Sequence, residues 1–302
     1  MKRILISILL MCVLIFSACS NQVTDHEPTG LDTITYESET GPIEVPAKPE
    51  RIVVLYSFLS GSVMALDGNI VGIDQWSKMN PQYEEYIKDV VVVSDESLEK
   101  IIELEPDLII AAPSSKNLDK LKEIAATVTF TYGRLEYLDV HLEIGKLLNK
   151  EEEAQTWIDD FKSRASQAGE NIKAKIGSEA TVSVIESFEK QLYVFGDNWG
   201  RSTEIIYQEM GLLMPEKVKE MALNDGYYAL SPEVLPEYAG DYIVFSKEPE
   251  ADHSFQETET YKNIPAVKND RVFEVNAREF YFNDPITLEF QLDFLMKSFL
   301  GE

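Results

Sequence analysis

The side chains best suited to do chemistry in this sequence are aromatic and sit in short loops. Tyr193-Val194-Phe195-Gly196-Asp197-Asn198-Trp199-Gly200-Arg201-Ser202-Thr203 leads from an apolar run into a helical stretch, with Trp199 and Arg201 set among glycines. A cation at a helix start opposes the helix dipole, so Arg201 calls for a partner or a ligand. Tyr56, Tyr132 and Tyr193 lie at or just past the ends of apolar, β-branched runs. Trp76 follows a second such run, and Phe280-Tyr281-Phe282 precedes the last helical segment. Ring faces of this kind hold apolar or cationic groups. Each ring taken alone suits ordinary core packing equally well. Their concentration past strand ends, where ligands of open α/β sheets bind, points to a binding cleft.

Other chemistries are poorly supplied. The sequence contains no G-x-S-x-G, G-x-x-x-x-G-K-[ST], G-x-G-x-x-G, C-x-x-C or H-E-x-x-H motif. Apart from His26 only His141 and His253 are present, too few for a three-histidine zinc or manganese site. His141 falls in an apolar helical period and reads as structural. Asp159-Asp160 are adjacent, so on a helix they face different directions and read as solvated surface. The 53 acidic against 27 basic residues give a formal charge of −26. That balance excludes a phosphate-backbone binder and a basic protein lying on anionic lipid. A 44% hydrophobic content with 26% charged residues excludes a disordered polyanion.

The elements that must position these residues are an alternation of short strands and helices. Strand-like runs cover 51–56, 70–73, 90–93, 108–111 and 128–132, with helical stretches at 98–104 and 118–126 between them. Alternation of this kind implies parallel βαβ units. Residues 151–176 differ: Trp157, Ile158, Phe161, Ala165, Ala168, Ile172 and Ile176 step by three and four along one face of a long helix. At the usual helical rise it spans about 39 Å. Strand-like runs resume at 182–185, 192–195, 242–245 and 272–275. A closing helix over 285–300 has Asp284 as its N-cap and Pro285 at its first position.

The amino-terminal residues read as an address. Lys2 and Arg3 precede an apolar run from Ile4 to Phe16, then Ser17, Ala18 and Cys19. This is a secretory signal, too short and wrongly flanked for a spanning helix. Phe16-Ser17-Ala18-Cys19 reads as a bacterial lipobox with Cys19 lipidated after cleavage, although Phe16 stands where an aliphatic residue is usual. The alternative is an ordinary cleaved signal followed by a cysteine. Cys12 lies in the signal, so Cys19 has no disulfide partner in a processed chain. A diacylglyceryl group supplies two chains, enough for stable anchoring. The expected organisation is a signal peptide at 1–18, a lipid tether at 19–30, an N-terminal α/β lobe at 31–145, a bridging helix at 146–178 and a C-terminal α/β lobe at 179–302.

An internal repeat ties the lobes together. At a constant offset, Ser97, Glu99, Glu103, Asp107 and Ile109 recur as Ser231, Glu233, Glu237, Asp241 and Ile243. Two lobes of like topology follow from it.

The chain from about Ile34 onward resembles the iron-siderophore solute-binding lipoproteins of ABC importers, particularly the ferric-hydroxamate-binding branch. The resemblance rests on the stretch from Gly41 to Leu55, on Glu99 ahead of Pro106-Asp107-Leu108-Ile109, and on Trp199-Gly200-Arg201. It continues through Leu230-Ser231-Pro232-Glu233-Val234-Leu235 and Phe282-Asn283-Asp284-Pro285. It implies two Rossmann-like α/β lobes bridged by a single long helix, with the ligand between them and only modest closure. Trp199 and Arg201 match the family's Trp-x-Arg, with Arg201 reaching the ligand oxygens around iron, and Tyr193 and Tyr132 match nearby contacts. Glu99 and Glu233 match the glutamates that pair with arginines of the membrane permease. Tyr56, Trp76, Phe280, Tyr281 and Phe282 complete the candidate lining.

The resemblance further implies a monomeric receptor rather than an enzyme, with no intrinsic cofactor and no protein ligand to iron, which the siderophore itself holds. Its partners would be an ABC permease with a cytoplasmic ATPase, on the outer face of the cell membrane of a Gram-positive bacterium. Catecholate complexes are strongly anionic and would want a Lys/Arg cluster, whereas Arg201 is the clear candidate here and Arg134 and Arg278 are weaker ones. A neutral or mildly cationic ferric hydroxamate suits an aromatic bowl with one Arg. Other chelates remain open: a catecholate or citrate-type siderophore, haem (for which Met79 and His141 form no evident ligand pair) or cobalamin. An extracellular enzyme would need a paired acid and base facing the cleft. A purely structural lipoprotein would have no cleft.

Overall fold

The computed structural model describes residues 32–301. The signal, the tether and Cys19 lie outside the described residues. The first described element is an antiparallel hairpin, β1 (Thr33–Ser38) with β2 (Gly41–Pro46), turned through Glu39 and Thr40 with Gly41 at φ 111°. It precedes the strand-like runs expected from 51 onward. Tyr36 and Val45 fasten it to the first lobe by burial.

The first lobe runs β3 (Ile52–Val54), α1 (Ser57–Ala65), β4 (Ile70–Ile73), α2 (Gln75–Lys78), β5 (Val91–Val92), α3 (Leu98–Glu103), β6 (Leu108–Ala111), α4 (Leu118–Ile124), β7 (Ala126–Thr129) and α5 (Tyr137–Leu147). Its sheet has the order β5-β4-β3-β6-β7 and is parallel throughout. Strands buried on both faces must be apolar along their length, and β3 and β6 are.

The long helix α6 (Glu151–Ile176) has the bounds that its apolar period gives. Gly169 is required by packing: a Cβ there would stand 2.4 Å from the Met210 carbonyl oxygen. The helix therefore lies directly on backbone of the second lobe.

The second lobe contains β8 (Val182–Phe188), β9 (Gln191–Phe195), a π-helical turn (Glu204–Glu209), α7 (Glu216–Ala222), β10 (Tyr227–Leu230), α8 (Leu235–Tyr238), β11 (Tyr242–Lys247), α9 (Glu259–Lys262), α10 (Pro265–Lys268), β12 (Val272–Asn276) and α11 (Pro285–Leu300). Its sheet order is β10-β9-β8-β11-β12. Parallel pairing holds for β8, β11 and β12, but β9 runs antiparallel to β8 and β10. The reason is local: only Glu189 and Lys190 separate β8 from β9, with Glu189 at φ 53°. A two-residue connection closes a hairpin and cannot make a parallel crossover.

The repeat has a structural basis. Asp107, just before β6, accepts hydrogen bonds from the backbone N–H groups of Glu50 and Arg51, just before β3, at 2.7 and 2.9 Å. Asp241, just before β11, accepts from the N–H of Thr181, just before β8, at 2.9 Å. In each lobe the same carboxylate ties together the entries of two paired parallel strands.

Asp284 caps α11, accepting from Ile286 and Thr287 N–H at 3.1 and 3.3 Å. Before that helix the chain returns to the first lobe: Ala277, Tyr281 and Phe282 are part of its core. Gly61 of α1 leaves room for the Asp284 carboxylate, whose Oδ1 would lie 1.7 Å from a Cβ there. Arg164 of α6 grips Glu289 of α11 through two guanidinium nitrogens, one at 2.8 Å. The lobes are thus joined by α6 and again by the segment leading into α11.

Candidate functional site

The loop after β9 is held in a conformation that few sequences accept. Gly200, Arg201 and Ser202 have φ values of 68°, 56° and 67°. Left-handed backbone costs a non-glycine residue on the order of 1 kcal/mol and persists only where neighbours impose it. Here Trp199 N–H donates to Thr203 Oγ1 at 3.0 Å, Gly200 N–H to Glu204 Oε1 at 3.0 Å, and Arg201 N–H to the Phe280 carbonyl at 2.7 Å. Gly200 itself has no alternative, since a Cβ would lie 2.5 Å from the Tyr281 carbonyl.

Arg201 finds its partner inside the protein. Its Nε and Nη2 donate to the Glu186 carboxylate, with Nη2 at 3.0 Å, and Glu186 also accepts from Ser246 Oγ at 2.8 Å. The guanidinium lies between the rings of Phe195 and Tyr281, 5.1 and 4.9 Å from their centroids. Nη1 donates to the Trp199 carbonyl at 3.2 Å. Arg201 thus fastens the loop that carries Trp199, with its charge answered by a carboxylate that is 1% exposed.

Between the lobes lies a cavity of about 260 Å³. Tyr56, Phe58, Tyr132 and Tyr137 line it from the first lobe, and Trp199, Glu204, Asp225 and Gly226 from the second. The rings form a continuous network. Phe58 touches Tyr56, Tyr132 and Phe282 at centroid distances of 5.5, 4.9 and 5.8 Å. Tyr132 meets Trp199 edge-on at 5.7 Å, Trp199 leans on Tyr227 at 5.0 Å, and Tyr227 on Tyr193 at 5.9 Å. Trp76 reaches Tyr281 at 5.6 Å, outside the main cavity. Gly226, at φ 82°, leaves space for the indole, because a Cβ would stand 2.5 Å from Trp199 Cε3.

Phe280 does not join this network. It is fully buried against Phe290 and Phe294 of α11 at 6.0 and 5.2 Å. Three consecutive residues cannot all face one cleft, and Phe280 takes the inward direction. Phe58, Tyr227 and Gly226 went unnoticed in the sequence. Phe58 opens α1 rather than ending a strand, and Tyr227 belongs to the short edge strand β10.

The cavity is acidic. Glu39, Glu136, Glu204 and Asp225 line it, and among the described residues lining it there is no Lys or Arg. Arg134 stands beside it, 3.9 Å from Glu39 and largely in solvent. Burial raises the pKa of Glu204, against the opposing pull of hydrogen bonds from Gly200 N–H and from Asn283 Nδ2 at 2.9 Å. Burial, then the Glu204 charge, pushes the Tyr132 hydroxyl up to about 12. Tyr137 of α5 donates to Glu209 of the π-helical turn at 2.8 Å, a polar link across the lobes.

Glu99 and Glu233 lie away from this cavity, one on each lobe, both exposed: Glu99 in the first turn of α3, Glu233 in the turn that leads into α8. Among the described residues no group of three His, Cys, Asp or Glu side chains could hold a metal ion, and no helix is long and apolar enough to cross a membrane.

Residues 52–279 match the family described as periplasmic binding protein. The chain is 34% identical to the iron(3+)-hydroxamate-binding protein FhuD of Bacillus subtilis (strain 168), over 96% of this chain and 95% of that one. The chain belongs to the periplasmic binding protein family, in its FhuD branch. Among solved periplasmic binding proteins, the FhuD protein from S. pseudintermedius superposes with a TM-score of 0.81 at 35% identity, covering 90% of this chain and 99% of that one. FhuD2 from Staphylococcus aureus with bound ferrioxamine B superposes with a TM-score of 0.79 at 32% identity, covering 84% and 99%. Membership in this family makes the chain a binding receptor and not an enzyme, so the acids of its cleft need no catalytic assignment.

Proposed function

We propose that the protein captures a ferric hydroxamate siderophore in the cleft between its lobes and delivers it to an ABC permease for iron uptake. The observation that carries this reading is the cavity lining: aromatic rings and four carboxylates, with no Lys or Arg among the described residues that line it. Arg201, the cation expected to attract a ligand, is already neutralised by Glu186. A trianionic catecholate complex entering this site would be repelled by Glu136 and Asp225, which have no ion-pair partner among the described residues. A neutral or cationic trihydroxamate complex meets rings whose faces can receive it. The similarity to FhuD2 with bound ferrioxamine B supports the same class of ligand. Iron stays coordinated by the siderophore throughout. Tyr56, Tyr132 and Trp199 are the contacts, Tyr193 backs Trp199 through Tyr227, and Arg201 holds the loop in place. Glu99 and Glu233 dock on arginines of the permease, which a cytoplasmic ATPase drives. Cys19, once lipidated, keeps the receptor on the outer face of the cell membrane.

Titration of the full chain with a ferric hydroxamate tests this reading through tryptophan fluorescence. Quenching that saturates, and that is much reduced in Trp199→Phe, is expected. A folded protein with no response would refute it.

A further inference from the structure

The cleft does not end at its main cavity. Tyr56 forms a wall shared with a neighbouring hollow, and that hollow shares Trp76 with a third one of about 420 Å³. Both lobes build this outer hollow. Trp76 and Met79 face it from the first lobe, and Phe188, Glu189, Glu248 and Glu250 from the second, with Tyr281 between.

Two features of the outer hollow are unexplained by folding. The first is Trp76, a large ring left 46% exposed although its backbone is pinned by the Asp74 cap at 2.8 Å. It stacks at 25° on Phe188, 6.4 Å away, and meets Tyr281 at 70°, making a corner of rings. The second is the charge around that corner. Glu248 and Glu250 share one cation, Arg278, at 3.0 and 2.5 Å, and Glu189 projects from the β8–β9 turn. Three carboxylates against one guanidinium leave the edge negative. Rings meeting at an angle beside uncompensated carboxylates form the arrangement that binds an ammonium group.

We infer that this hollow is an outer subsite that takes the ammonium-bearing arm of a cationic ferric hydroxamate, while the iron centre occupies the main cavity. The inference rests on the proposed function and adds a preference among hydroxamates. The ammonium sits over Trp76 and Tyr281 with Glu189 and Glu250 at its edge, so chelates with a charged arm are retained over those with a capped one.

The test compares ferrioxamine B with its N-acetyl derivative, which share the iron centre and differ only in the terminal ammonium. Affinities are measured on the full chain by titration calorimetry. Acetylation is expected to weaken binding about five- to tenfold, a partly exposed cation–π contact and ion pair acting together. That gap should fall below about twofold in the Glu189→Gln/Glu250→Gln double variant and narrow in Trp76→Leu. Glu189 and Glu250 are exposed and lie outside the main cavity, so the acetylated chelate should bind the double variant as it binds the parent. Equal affinities in the parent, or a gap that survives both changes, would overturn the outer subsite while leaving the ferric hydroxamate reading in place. Failure of both chelates to bind would instead overturn the reading on which the subsite rests.

Discussion

The edge of Tyr132, in the first lobe, meets Trp199, in the second, with ring centroids 5.7 Å apart. The contact spans the cleft, so a ligand that binds there must lie against both rings or separate them. Either way the two residues are coupled. Trp199→Ala and Tyr132→Ala should each weaken ferric hydroxamate binding by about 2 kcal/mol, roughly thirtyfold. The double variant should lose less than the sum, as neighbours in one cluster do. Calorimetric affinities for the four proteins check this; strict additivity would show that the ligand does not bridge the rings.

Gly226 makes the indole's position possible. Gly226→Ala forces a methyl to within 2.5 Å of Trp199 and places a side chain on backbone at φ 82°. The expected outcome is a folded protein destabilised by about 1–2 kcal/mol that binds the chelate at least tenfold more weakly. Denaturant melts and a binding titration on the same variant separate the two effects.

The Arg201–Glu186 pair is buried, bidentate and stacked, so its partners are not replaceable by residues of like charge. Arg201→Lys cannot reproduce the fork or lie flat between Phe195 and Tyr281. Leaving Glu186 buried without its partner should cost about 3–5 kcal/mol in the Arg201→Leu variant. Arg201→Leu combined with Glu186→Leu should recover much of that loss. Urea unfolding midpoints of the three proteins test the claim that Arg201 serves the loop and is not a free cation awaiting a ligand.

His141 sets a pH dependence. Burial lowers its pKa from 6.5 to about 4, and its Nδ1 has no hydrogen-bond partner among the described residues. The unfolded chain takes up the proton first as pH falls below 6.5, so native stability declines from there to about 4, where the folded protein protonates too. The total loss over that window is up to about 3 kcal/mol. His141→Leu should remove this slope without loss of stability at pH 8, measurable as denaturant midpoints across the pH series.

Much of this architecture was legible in the sequence where one physical rule dominated. Helix α6 declared itself through its apolar period, and α11 through the Asp284-Pro285 start. The repeated Asp107 and Asp241 marked equivalent strand entries, because the backbone groups at a strand's start need the same partner in each lobe. Trp199 and Tyr132 drew notice through the concentration of aromatics past strand ends, and the folded chain brings their rings together. Other features gave no such signal. The direction of β9 is decided by a two-residue turn, which apolar alternation does not encode. Nothing sets Glu204 and Glu186 apart in the sequence among 53 acids, since only the folded chain shows that they are buried. Arg201 demanded a partner, and the sequence held no means of telling an internal carboxylate from a bound ligand. Phe280 shared its neighbours' composition but not their direction.

The proposed function requires this cleft to prefer a neutral or cationic ferric hydroxamate to an anionic chelate. Calorimetric titration of the full chain with a ferric trihydroxamate, a ferric tricatecholate and ferric citrate, at one ionic strength, tests it most directly. Saturable binding of the hydroxamate at about micromolar Kd or tighter is expected, with at least a hundredfold weaker binding of the two anionic chelates. Tighter binding of the tricatecholate or of ferric citrate would contradict it.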